Sequence, residues 1–121
     1  MTQTLLLATN NPHKVEELRS IFLPYDIVFR TPAELGSEAD VLENGNSYYE
    51  NACLKARAYA GTSPYPVLAD DSGLEVEALQ GAPGIHSHRF LPNPDATSRE
   101  RCLYLLGCLR QFPRPWRAAF H

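Results

Sequence analysis

Residues 3–22, QTLLLATNNPHKVEELRSIF, constrain the fold more than any other part of this chain. An apolar run through Leu5, Leu6 and Leu7 gives way to polar residues and reads as a buried strand. Asn10 and Asn11 offer side chains that cap a helix, and Pro12 suits its first position. Val15, Leu18, Ile21 and Phe22 then recur at helical spacing, which predicts an amphipathic helix over 12–22, ended by Pro24. DIVFRT (26–31) predicts a second strand, and residues 32–46, with Pro32, Gly36 and Gly45, an irregular connection. A helix is expected from about Ser47 to Ala60, with Ala52, Ala56 and Ala60 forming a small-residue stripe for close approach. Val67 and Leu68 close another strand, 74–79 supplies one more, 81–95 is a Gly/Pro-rich loop, and a last helix covers 96–112. It puts Leu103, Leu106 and Leu109 on one face. This order predicts an α/β protein with a mixed, twisted sheet and flanking helices.

The length of 121 residues suits one domain, 1–121, with a modest core. No apolar run reaches a membrane span, so no membrane partner is expected. Cys53, Cys102 and Cys108 are odd in number and form no C-x-x-C pair; they read as small buried hydrophobes in a reducing cytoplasm. A net charge of −3 argues against a grip on polymeric nucleic acid while leaving room for a small anion. After residue 95 the balance is basic, five Arg against one Glu, which reads as a solvated helix face and loop. WRAAFH begins a strand-like segment at the very end, and the chain is expected to be incomplete there.

Four segments carry chemistry. In LLLATNNPHK (5–14) a strand runs into a helix N-terminus, where backbone N–H groups, Thr9, Asn10, Asn11 and Lys14 form a phosphate site; an ordinary capped helix is the alternative. In ENGNSYYENACLKA (43–56) Asn51 and Lys55 share a helical face, and Lys55 is read either as a phosphate partner or as a solvated surface group. In VLADDSGLEVEAL (67–79) two adjacent aspartates follow an apolar run. Carboxylates bind Mg²⁺ through one or two oxygens, with Glu43 available as a second ligand; the alternative for Asp-Asp-Ser-Gly is a tight turn. Extended backbone would send Asp70 and Asp71 in opposite directions. In GAPGIHSHRF (81–90) Ser87 and Arg89 can bond phosphate, whereas His86 and His88 lack a third histidine for a metal site.

Together LLLATNNPHKVEEL, ENGNSYYENACLKARAYA, VLADDSGLEVEALQGAPGIHSHRF and DATSRERCLYLLGCL resemble the inosine triphosphate pyrophosphatase family, in its order and approximate spacing. The resemblance implies a two-lobed α/β architecture with a central cleft, and hydrolysis of ITP, dITP and XTP to the monophosphate and pyrophosphate with Mg²⁺. Most members are homodimers. Thr9, Asn10, Asn11, Pro12, His13 and Lys14 would hold the triphosphate, Lys55 would add positive charge, and Glu43 and Asp71 would approach Mg²⁺. Asp71 would also be the base for the attacking water. Ser72 and Gly73 would shape the phosphate pocket, which Ser87 and Arg89 would line.

The sequence departs from the family at His88, where a small residue is usual, and at its end. The resemblance implies further chain that grips the purine and completes the sheet. The 121-residue polypeptide is therefore expected to be poorly stable and weakly active or inactive. Two other readings stay open: a catalytically silent nucleotide-binding or interaction fragment, and a Maf-like nucleotide pyrophosphatase.

Overall fold

The computed structural model describes residues 1–93 and 95–121; Pro94, in the expected 81–95 loop, lies outside them. The chain forms two compact units, residues 1–71 and 72–121.

In the first unit, β1 (Gln3–Leu7) is the central strand of a three-stranded parallel sheet, between β2 (Ile27–Arg30) and β3 (Val67–Leu68). Successive side chains of a strand face opposite ways, so Leu6 and Leu7 serve two different cores. Leu6 packs with Ala8 and Tyr59, and Leu7 with Val15 and Phe29. Both leucines are fully buried. A central strand covered on both faces has to be apolar throughout, which is why LLL is uninterrupted.

Helix α1 (Pro12–Ile21) connects β1 to β2. Asn11 is the cap, its side-chain oxygen accepting from His13 N at 3.0 Å, with Pro12 at the first turn. Helix α2 (Tyr48–Ala60) is capped by Ser47, which accepts from Glu50 N at 3.1 Å. Glu50 reaches back to accept from Asn46 N at 2.6 Å. The deepest residues of α2 are Asn51 and Tyr59. The alanine stripe lies beside this face, with Ala60 exposed, because the polar groups of Asn51 and Tyr59 find partners inside.

In the second unit, β4 (Leu74–Val76) pairs antiparallel with β5 (Ala118–Phe120), Leu74 opposite Phe120 and Val76 opposite Ala118. Parallel and antiparallel pairing are thus both present, each in its own sheet. The strand expected over 74–79 stops at Val76. Glu77–Leu79 turn as a 3₁₀ segment, closed by Gln80 at φ 56° and Gly81 at φ 90°. A second 3₁₀ segment, Gly84–Arg89, interrupts the expected loop.

Helix α3 (Ser98–Leu109) is shorter than the expected 96–112, because Thr97 caps it by accepting from Glu100 N at 3.1 Å. Of the three leucines expected on one face only Leu109 is buried; Leu103 and Leu106 are about half exposed. Their i, i+3, i+6 spacing drifts around a 3.6-residue helix, so the three do not share one line of contact. Among the described residues no helix is long and apolar enough to cross a membrane.

Leu6→Ala should destabilise the first unit by roughly 2–5 kcal/mol, since it empties a fully buried site in the central strand. Urea unfolding, with the midpoint compared at constant slope, measures this directly.

Candidate functional site

Asp70 and Asp71 leave the carboxyl end of β3, and Thr9 leaves the same end of β1. The register explains this: Leu6 pairs with Val67, Leu7 with Leu68, and Ala8 N donates to Leu68 O at 2.8 Å. Neither aspartate lies in a turn, so the tight-turn alternative is not realised there. Each takes a different cation. Lys14, from α1, pairs with Asp70 at 2.8 Å. Lys55, from α2, pairs with Asp71 at 3.2 Å and with Glu43 at 2.5 Å, and donates to the Asp70 carbonyl at 3.0 Å.

Lys14 and Lys55 are the only lysines in the chain. Their side chains are 16% and 17% exposed, which removes the reading of Lys55 as a solvated surface group. Asp71 is 8% exposed and Asp70 42%, so the two carboxylates sit in different surroundings. Desolvation disfavours the Lys55 ammonium, but its hydrogen bond and charge pairing with Glu43, and then with Asp71, outweigh this. The group is held above the ordinary lysine value of 10.5.

The sequence reading left Asn51 out of the site. It is 1% exposed, donates through Nδ2 to Asp71 Oδ2 at 3.3 Å, and accepts through Oδ1 from Gly45 N at 2.8 Å. Its i, i+4 relation to Lys55 was the available signal.

At the start of α1, part of the expected phosphate site is already engaged. Thr9 Oγ1 accepts from Asn11 N at 3.1 Å, Asn11 Oδ1 accepts from His13 N, and Pro12 has no N–H to give. Asn10, Pro12 and His13 are exposed. The capped-helix alternative is therefore realised in the donors of Asn11 and His13, and Lys14 is the charged member of the segment that meets the acidic pair.

The remaining residues belong to the second unit. A Cβ on Gly73 would fall onto the Gly84 carbonyl and stand 2.9 Å from Ser87 Oγ, so only glycine fits there. Ser87 Oγ donates to Gly84 O at 2.6 Å and accepts from Leu74 N at 2.9 Å. Its hydroxyl proton is thus spent on the backbone, tying β4 to the 3₁₀ segment. Ser72 is half-buried and Arg89 is exposed, as are His86 and His88.

Glu43 and Asp71 bring hard carboxylate oxygens to one ammonium, a pair already arranged around positive charge. Among the described residues no group of three or more His, Cys, Asp or Glu side chains forms a metal cage. Two carboxylates nevertheless fit a Mg²⁺-type ion, which is held through one or two carboxylates and keeps its other positions for water and phosphate oxygens.

The sequence model of the Ham1 family matches residues 5–121. The dITP/XTP pyrophosphatase of Yersinia pseudotuberculosis serotype I (strain IP32953) is 44% identical over 120 residues, covering 98% of this chain and 60% of that protein. The Ham1 protein of Staphylococcus aureus matches with a TM-score of 0.74 at 36% identity, over 98% of this chain and 59% of that one. A HAM1 protein from Coxiella burnetii matches with a TM-score of 0.76 at 32% identity, over 98% and 62%. The chain spans about 60% of the length of the curated relatives it matches.

Lys55→Met should destabilise the protein by about 3 kcal/mol at neutral pH, because it leaves Glu43 and Asp71 together without their cation. The folded-state pKa of Lys55 lies above the unfolded one. Its pairing therefore contributes fully below pH 10.5 and is lost as the pH rises beyond that value. Denaturation curves from pH 7 upwards should show this alkaline loss in the wild type. The difference between wild type and Lys55→Met should shrink over the same range.

Proposed function

The chain belongs to the Ham1 family, and from that premise we propose that the protein hydrolyses non-canonical purine nucleoside triphosphates (ITP, dITP, XTP) to the monophosphate and pyrophosphate. The observation that carries this reading is the nearly buried Asp71 carboxylate, sharing one lysine with Glu43 while Lys14 holds Asp70 alongside. Such a cluster sets three carboxylates against two ammonium groups and can exchange partners with a ligand that brings both signs. A metal–triphosphate complex is a ligand of that kind.

In this reading Lys14 and the Thr9–His13 segment bind the polyphosphate, and Lys55 turns from carboxylates toward phosphate oxygens as they arrive. Glu43 and Asp71 would hold Mg²⁺, which when bound neutralises phosphate charge, including that developing on the leaving pyrophosphate. Asp71 orients the attacking water and accepts its proton as the new oxygen–phosphorus bond forms. The bond between the α- and β-phosphates breaks, and pyrophosphate departs with the electron pair. General-base assistance of this kind contributes about 10²–10⁴-fold. Ser72 and Gly73, the next residues in the chain, and Ser87 and Arg89 are assigned to the phosphate pocket on the family pattern. The same reading takes residues 1–121 as one domain of this kind and carries homodimeric assembly and a cytoplasmic location.

Incubation of the 121-residue chain with Mg²⁺ and dITP, XTP or dGTP, resolving monophosphate from pyrophosphate, tests the proposal. Pyrophosphate should be released slowly from dITP and XTP, the dGTP reaction reporting how much base selection these 121 residues carry, and Asp71→Asn should lower the rate by about 10²-fold or more. A folded wild type that releases none, or an Asp71→Asn variant as fast as the wild type, would remove this assignment.

A further inference from the structure

Asn51, Lys55 and Tyr59 lie at i, i+4 and i+8 on one face of α2. Each holds a successive point of the irregular segment 39–45, in reverse order. The Tyr59 hydroxyl donates to Ala39 O at 3.2 Å and accepts from Ala39 N at 3.1 Å. Lys55 pairs with Glu43, and Asn51 accepts from Gly45 N. The segment therefore runs antiparallel along the helix, with Glu43 pinned between two anchors.

The two anchors differ in reach. Among the described residues the Tyr59 hydroxyl bonds only to the segment, whereas the other end of the Asn51 amide donates to Asp71. We propose that Asn51 is the positioning residue that sets the spacing of Glu43 and Asp71, one buried amide tying the backbone beside the first carboxylate to the oxygen of the second. This rests on the reading of those carboxylates as the metal and substrate site.

The chemistry selects asparagine. The Gly45 N–H needs an acceptor and the Asp71 carboxylate needs a donor, and a carboxamide presents both on one rigid plane. An aspartate would keep the acceptor and set a like charge against Asp71. An apolar residue would strand both groups in a buried place. Gly45 is matched to it: a Cβ there would stand 2.7 Å from Asn51 Oδ1 and 2.7 Å from Glu50 Cβ. The bare backbone is what lets the loop approach the amide.

The test titrates Mn²⁺ alone, followed by electron paramagnetic resonance, into the 121-residue chain and its Asn51→Ala, Gly45→Ala, Tyr59→Phe and Asp71→Asn variants. Melting temperatures are recorded alongside. Gly45→Ala disturbs the same contact from the loop side, so the result does not depend on Asn51→Ala folding. Tyr59→Phe reports what general loosening of the segment does. Asn51→Ala and Gly45→Ala should each weaken Mn²⁺ binding about tenfold, the lower end of the loss on removing groups that support metal ligands. Tyr59→Phe should stay within about twofold, as expected of a site without a shared partner, even where its melting temperature falls as far. Asp71→Asn should abolish binding. Unchanged affinity in both Asn51→Ala and Gly45→Ala, with binding still lost in Asp71→Asn, would overturn the role of Asn51 and leave the proposed function standing. Equal weakening in Tyr59→Phe would reduce Asn51 to an ordinary fold contact and overturn it too. A wild type that takes up no Mn²⁺ would overturn this inference, whereas the proposed function, in which the metal arrives with the triphosphate, stands or falls by the pyrophosphate assay.

Discussion

Glu43 and Asp71 could not share their surroundings without the Lys55 ammonium, which lies 2.5 Å from one and 3.2 Å from the other. Two carboxylates with little solvent around them repel each other and lose hydration, and either effect alone favours separation. A cation between them reverses the sign of the interaction, and it strengthens as water is excluded. Much of the first unit serves this arrangement. Helix α2 must present Lys55 inward, segment 39–45 must lie along the helix, and β3 must end where Asp71 can reach the same nitrogen.

The parallel sheet brings the parts to one place. β1 and β3 are paired up to Leu7 and Leu68, so the residues after them emerge side by side. Thr9 and Asp70 occupy equivalent positions beyond the last paired residues, and Lys14 reaches Asp70 from one turn further on. The carboxyl end of a parallel sheet is where open α/β folds generally place their ligands, because loops and helix starts converge there. Adjacent side chains on extended backbone diverge, so consecutive aspartates meet different lysines from different helices. Asp70 keeps substantial exposure and a single partner, whereas Asp71 is nearly enclosed and held by two side chains. One dipeptide thus supplies two carboxylates suited to different tasks.

Features set by local chemistry were legible in the sequence. The Asn11 cap and Pro12 start of α1, the Ser47 cap of α2, and the apolar centres of β1 and β3 all lie where residue preferences put them. The acidic pair, Glu43 and both lysines were visible as residue types suited to a charged ligand. Their pairing was hidden, because Lys14 to Asp70 and Lys55 to Glu43 are contacts between residues far apart in the chain. The end of β4 was also missed. Alternation through Leu79 imitates a strand, and only the left-handed backbone at Gln80 and Gly81 marks the 3₁₀ turn that replaces it. Asn51 stood out only as the helical neighbour of Lys55, and its place in the site was hidden for a similar reason. An asparagine inside a helix reads as exposed, and its burial follows from partners at Gly45 and Asp71 that no local pattern reveals.

The polar face of α2 makes fold and site hard to separate. A helix normally attaches through an apolar stripe, whose packing tolerates small shifts. Here the most buried positions are an asparagine and a tyrosine, with a lysine between them. Hydrogen bonds and ion pairs in a place with little water lose much of their value when a partner moves, because what remains is an unsatisfied group. The bonds that fasten segment 39–45 to α2 therefore also define where Glu43 stands relative to Asp71. Such an attachment holds its geometry more narrowly than leucine packing would. That is a reason for a chain to place a carboxamide where an apolar side chain would have been the simpler way to fill the space.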